Sequence, residues 1–242
     1  MSSHAHTEGT LYLLPVWLGD AGGPEMLAPA VVEVAERVRL FFAEDERTAR
    51  RMLRRMSPTI VMQELEMHRL DKDTSPEEVE SHVHLLRGRE GAVISEAGMP
   101  AIADPGARLV AAAHHAGIRV VPLPGPSSIL LALAASGLNG QHFTFHGYLP
   151  REQQPRRQAL RELEQLARRT GGAQLFMETP YRNDALLGDI LRTVGDQVLL
   201  CIAKDIGQPQ EMIRTRTIGE WRKAGPVLGK CPAVFILGTP AT

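Results

Sequence analysis

Short apolar runs that end in stiff, glycine- and proline-bearing loops constrain this chain more than any other feature. Ala92 to Ile94 leads directly into Ser95-Glu96-Ala97-Gly98-Met99-Pro100-Ala101-Ile102-Ala103-Asp104-Pro105-Gly106. Ile118 to Val121 leads into Pro122-Leu123-Pro124-Gly125-Pro126-Ser127-Ser128. If the runs are parallel strands, both loops lie at carboxyl ends, where open α/β sheets bind ligands. Small residues let backbone N–H and C=O groups approach a ligand, and prolines hold the loop stiff before binding. Ordinary strand-to-helix turns use the same residue types, so the spacing predicts a pocket and names no ligand.

The alternation runs through the chain. Leu11–Val16, Leu40–Ala43, Thr59–Met62, Ala92–Ile94 and Arg119–Pro122 read as strands, separated by helix-periodic segments such as Pro24–Val38. This is the βαβ pattern of a mostly parallel sheet with helices on its faces. After Pro126 a helix is predicted over Ser127 to Ser136, with Ser127 or Ser128 able to cap it. Strands follow at Gln174–Met177, Val198–Ala203 and Ala233–Leu237, with helices near Arg156–Arg169 and Asn183–Val194. The fold class is therefore α/β with two lobes, expected over residues 1–122 and 123–242, joined at the rigid Pro122–Pro126 segment.

At 242 residues the chain can bury a large core, and its 43% hydrophobic and 23% charged residues are ordinary for a globular protein. No apolar run reaches the ~18 residues of a membrane span, and Met1 to Gly9 is polar, without the apolar core of a secretory leader. Cys201 and Cys231 lie in strand-like apolar runs, so buried free thiols and a cytoplasmic location are expected. His82 and His84 alternate within a predicted helix and point apart, so no metal is expected. Neither a GxGxxG turn nor a GxxxxGK[ST] loop occurs, which argues against dinucleotide and nucleoside triphosphate chemistry.

The segment Ser95 to Pro150 resembles the tetrapyrrole-methylase superfamily of S-adenosylmethionine-dependent methyltransferases. It includes Ser136-Gly137-Leu138-Asn139-Gly140 and Gly147-Tyr148-Leu149-Pro150. Leu11 to Asp20, Glu44 to Leu53 and Phe176-Met177-Glu178-Thr179-Pro180-Tyr181-Arg182 match further landmarks in order, so the resemblance covers nearly the whole chain. The most similar branch is that of the small-subunit ribosomal RNA ribose 2'-O-methyltransferases. The resemblance implies a two-lobed fold of the class III methyltransferase kind with the cofactor cleft between lobes, S-adenosylmethionine as cofactor, and a homodimer. It assigns the cofactor to Pro15, Gly19, Glu96, Ala97, Gly98, Ala101, Ser127, Ser128 and Met177, with Ala233 nearby.

A ribose hydroxyl is a poor nucleophile until its proton leaves, so a general base or strong orientation is expected. Asp45, Glu96 and Glu178 are the candidates, and the sequence does not choose among them. Glu96 stands where the family more usually has aspartate, and Thr179-Pro180-Tyr181 where it usually has Ser-Pro-His. The family's Glu-Asp-Thr-Arg becomes Glu44-Asp45-Glu46-Arg47, which bears on substrate contacts more than on the cofactor.

Arg47, Arg50, Arg51, Arg54 and Arg55 fall at helical spacing, and Arg151, Arg156, Arg157, Arg161, Arg168 and Arg169 form a second basic run. A solvated helix face accounts for the first run as well as a phosphate-binding face does. Net charge is only −1, so two basic runs require acids elsewhere and a polarised surface. RNA contacts are expected at Arg47, Arg50, Arg51, Arg54, Tyr181 and Arg182, with Tyr181 able to stack on an unpaired base. The reading is a methyltransferase acting on ribosomal RNA or a small ribosomal particle. Methylation of a tetrapyrrole or other small molecule, and a non-catalytic RNA-binding or assembly module on the same fold, are the alternatives.

Overall fold

The computed structural model describes residues 9–240, so the polar stretch before Gly9 lies outside the described residues. The chain divides into two compact units, Met1–Ser127 and Ser128–Thr242, each with its own five-stranded sheet.

In the first unit the strands are β1 (Thr10–Leu14), β2 (Leu40–Ala43), β3 (Glu66–Arg69), β4 (Glu90–Ile94) and β5 (Arg119–Pro122). They run parallel in the order β3-β2-β4-β1-β5. Helices α1 (Pro29–Arg37), α2 (Glu46–Met56), α3 (Pro76–Leu86) and α4 (Ala107–His115) cover its faces. Alternate residues of each strand feed different layers: Phe41 and Ile94 pack with Val31, Val34, Met52 and Leu53. Phe42 and Val93 pack with Val79, Val83, Leu86 and Leu109. Burial on both faces is why the inner strands are continuous apolar runs without polar alternation.

Local chemistry sets the helix starts. Asp45 caps α2 by accepting from Thr48 N at 2.7 Å. Ser75 and Glu78 form a reciprocal capping box at α3, with Pro76 at the first helical position.

Pro24–Val38 is not one helix: a short 3-10 turn at Pro24–Met26 precedes α1, and Ala28 is extended because Pro29 disfavours a helical residue before it. Thr59–Met62 is not a strand. Ile60, Met62 and Leu65 bury against α1 and α2 without sheet pairing, and the strand comes later as polar, half-exposed β3.

The second unit holds β6 (Phe143–Tyr148), β7 (Ala173–Glu178), β8 (Leu199–Lys204), β9 (Met212–Thr217) and β10 (Ala233–Gly238), in the order β6-β7-β10-β8-β9. Only β6 and β7 pair parallel; the remaining pairs are antiparallel, so this sheet is mixed. Helix α5 (Ser128–Ser136) packs on one face, and α6 (Gln153–Thr170), α7 (Asn183–Thr193) and α8 (Ile218–Ala224) on the other.

Asp189 of α7, fully buried, joins Arg156 and Arg157 of α6 and Arg192 of its own helix. Burial alone would raise its pKa, yet hydrogen bonds from these arginines hold it below the ordinary carboxylate value. Cys201 and Cys231 are buried free thiols. Among the described residues no helix is long and apolar enough to cross a membrane.

Candidate functional site

Three loops interlock at the carboxyl edge of the first sheet. The loop after β1 and the loop after β4 form an isolated bridge, with Val16 N donating to Gly98 O at 3.0 Å and Gly98 N to Val16 O at 3.1 Å. Ser95 Oγ also donates to Gly98 O, at 2.8 Å. Gly98 has φ +70°, and a Cβ there would stand 3.1 Å from Pro126 O. A Cβ on Gly125 would meet Pro15 Cβ at 2.3 Å. The backbones themselves therefore make the wall at this edge, which is the arrangement expected where a ligand lies against main-chain groups. Pro15, Gly19, Glu96, Ala97, Gly98, Ala101 and Ser127 all belong to these loops, and Ser128 opens α5 in the second unit.

Ala101 and Ala103 both adopt left-handed backbone, at φ 65° and 57°. This conformation is costly for a residue with a Cβ and persists only where surrounding structure imposes it.

Acidic side chains gather at the same edge. Burial raises the Glu44 carboxyl above its ordinary pKa, and the charges of Glu96 and Asp71 raise it further against the pull of Lys72. Burial also raises Asp104, opposed by hydrogen bonds from Gly106 and Ala101 N–H groups and reinforced by Glu44. Asp71 is drawn down on balance: burial opposes ionisation, but bonds from Asp73 N, Thr74 and Arg69 outweigh it. Glu96 is exposed. Asp45 is committed to its cap, and the bond from Thr48 N lowers its pKa, so it stays ionised. The sequence signal for Asp104 is its Asp-Pro-Gly turn in the loop after a strand.

Helix α2 separates its arginines. Arg50 reaches Glu46 at 2.9 Å, Met62 O at 2.6 Å and Leu65 O at 3.3 Å, stitching the helix to the following segment. Arg55 donates to Gly22 O at 2.6 Å and lies 4.8 Å over the Trp17 ring. Arg47, Arg51 and Arg54 form an exposed stripe at i, i+4, i+7 spacing.

A second group lies at the end of β7. Met177 is half-buried, and Glu178 pairs in register with Ala233. Glu178 is buried; its Oε1 accepts from Thr179 N at 2.6 Å and Arg182 Nε at 3.0 Å, while Oε2 has no partner among the described residues. Tyr181, next in the turn, is 79% exposed. Arg182 is thus held by an ion pair that fixes this turn. Among the described residues no three His, Cys, Asp or Glu side chains are grouped to hold a metal ion.

Residues 21–221 match the family described as tetrapyrrole (corrin/porphyrin) methylases. The chain is 34% identical over 212 residues to the ribosomal RNA small subunit methyltransferase I of Xylella fastidiosa, covering 88% of this chain and 74% of that protein. It is 32% identical over 226 residues to the protein of the same name from Halalkalibacterium halodurans, covering 92% and 74%. Among solved structures, it shares its fold with a uroporphyrin-III-C-methyltransferase from Thermus thermophilus (TM-score 0.53, 21% identity, 96% of this chain and 92% of that one). A cobalt precorrin-4 methyltransferase is similar in the same sense (TM-score 0.59, 14% identity, 98% and 97%).

Proposed function

The chain belongs to the tetrapyrrole (corrin/porphyrin) methylase family and is a methyltransferase, and from that premise we propose that it methylates a ribose 2'-hydroxyl of small-subunit ribosomal RNA with S-adenosylmethionine as donor. The observation that carries the substrate is the likeness to proteins named for that RNA, which extends over about nine-tenths of this chain.

The first unit's edge suits the donor. A Cβ on Gly125 would collide with Pro15 and one on Gly98 would crowd Pro126 O, so the wall is backbone, and the carboxyl groups of Glu44, Glu96 and Asp104 at the same edge are suited to partner a sulfonium and an ammonium group. Bound S-adenosylmethionine supplies an electrophilic methyl carbon on a positively charged sulfur. Pro15, Gly19, Ala97, Gly98, Ala101 and Ser127 of the first unit would hold it through main-chain and small side-chain contacts.

Of the candidate bases, Asp45 is occupied as a helix cap and Glu178 by Arg182. Glu96, exposed on the loop after β4, takes the proton from the substrate hydroxyl, and Glu178 acts through Arg182 to position the Tyr181 turn. Arg47, Arg51 and Arg54 meet RNA phosphates. The protein works as a homodimer in the compartment of the ribosome, the cytoplasm, and sedimentation at working concentration checks its assembly.

Incubation with small-subunit RNA and methyl-labelled donor, followed by digestion to nucleosides, tests the reading. Label on a ribose oxygen is expected; label on an added tetrapyrrole but none on RNA would overturn the substrate. Glu96→Gln should lower turnover about 100-fold or more. An unchanged rate would exclude Glu96 as proton acceptor.

A further inference from the structure

The segment between α8 and β10 is tied down at successive residues. Leu228 N and Gly229 N donate to the two carboxylate oxygens of Asp184, at 2.7 and 3.2 Å. Asn183 Nδ2 donates to Cys231 O at 2.7 Å. Lys230, bracketed by these anchors, places its Nζ 4.9 Å from the centroid of the Tyr181 ring. The Tyr181 turn is itself fixed, by Arg182 N to Thr179 O at 2.9 Å and by the Arg182–Glu178 ion pair.

The ring so held is outside every core cluster. Trp17, Phe41, Phe42, Phe176 and Phe235 are at most 1% exposed, whereas Tyr181 is 79% exposed, and Val227 of the anchored segment is 81% exposed.

We propose that Tyr181 and Lys230 form a preassembled clamp for one unpaired nucleotide of the RNA substrate, the ring stacking on the base and the ammonium meeting an adjacent phosphate. The clamp rests on the ribosomal RNA reading above and adds Lys230 and its loop as a substrate-binding element. Every base has a π-face, so an exposed aromatic ring is a sequence-tolerant stacking platform. Lysine presents a compact charge suited to phosphate. Anchoring of both elements before binding lowers the ordering cost of the contact. An uncharged small substrate would use the ring but not the ammonium, which is why salt dependence is the discriminating quantity.

The test measures affinity of the full chain for small-subunit RNA and for oligouridylate across a salt series. Tyr181→Ala is expected to weaken binding about tenfold or more, with Tyr181→Phe close to the unaltered protein. Lys230→Ala should weaken binding and flatten the log–log salt slope by about one, while Lys230→Arg keeps both. Unaltered affinity and slope in both alanine variants, with RNA bound normally by the parent protein, would overturn the clamp and leave the RNA reading intact. A parent protein that neither binds nor methylates the RNA would remove that reading and the clamp with it. In the unaltered protein, bound RNA should also shield Lys230 from amine acetylation. Equal modification with and without RNA would overturn the clamp whatever the variants' folding.

Discussion

At Gly98 one absent methyl group lets three loops meet. The residue combines φ +70° with a Cβ position 3.1 Å from Pro126 O, so valine would be strained in its backbone and crowded in its side chain. Gly98→Val is expected to lower S-adenosylmethionine affinity at least about tenfold, roughly 1.4 kcal/mol, by titration calorimetry; unchanged affinity would remove this loop from the binding site. The glycine was identifiable from sequence, because a glycine after an apolar run signals a turn needing freedom. The mutual influence of Asp104 and Glu44 was not legible in the same way. Their raised pKa values come first from burial and then from neighbouring acids on loops of other strands, and no sequence interval encodes that proximity. Which of Asp45, Glu96 and Glu178 already holds partners is likewise set by the folded chain.

The elements divide by how their stability reaches the sequence. Inner strands such as Leu40–Ala43 bury every residue and read as apolar runs. Edge strands β3, β6 and β9 are partly exposed, mix polar with apolar residues and have no such signature, whereas the edge strand β5 keeps the apolar pair Val120 and Val121 and is read from sequence at Arg119–Pro122. The apolar residues Ile60 and Met62 misdirect a periodicity reading because they bury against helices.

Helix α3 carries a pH-sensitive contact in the same way. His82 lies 5.0 Å from the Phe42 ring, its Nδ1 has no partner among the described residues, and burial followed by the nearby His68 holds its pKa below the ordinary value. The folded state therefore resists a proton that the unfolded chain accepts at about pH 6.5. Stability is expected to fall as pH drops below that point, down to the lower folded pKa. His82→Phe should remove this part of the acid dependence in thermal melts over pH 5–7, a window set by about 6.5 as the unfolded value. An unchanged pH dependence would assign it to other groups.

For the whole molecule, a net charge of −1 conceals an uneven distribution. Of the arginines at helical spacing on α2, Arg50 and Arg55 are engaged with backbone carbonyls, while Arg47, Arg51 and Arg54 remain exposed on one stripe. The triple change of the stripe to alanine should flatten the salt slope of RNA binding by about three and leave the melting temperature nearly unchanged. Arg50→Ala should do the reverse, lowering the melting temperature with little effect on the slope. An unaltered slope in the triple variant would exclude the stripe from RNA contact.

The sequence by itself determined the α/β class, the inner strands, the first sheet's parallel character and the family, because these depend on local periodicity, turn chemistry and motif order. Only the tertiary structure decided the edge strands β3, β6 and β9, the mixed second sheet, the interlocked loops at Gly98 and Gly125, and which charged side chains are spent inside the fold. Those outcomes depend on what lies beside each group in space, and partners such as Glu178 with Ala233, or Asp184 with Leu228, are brought together only by the folded chain.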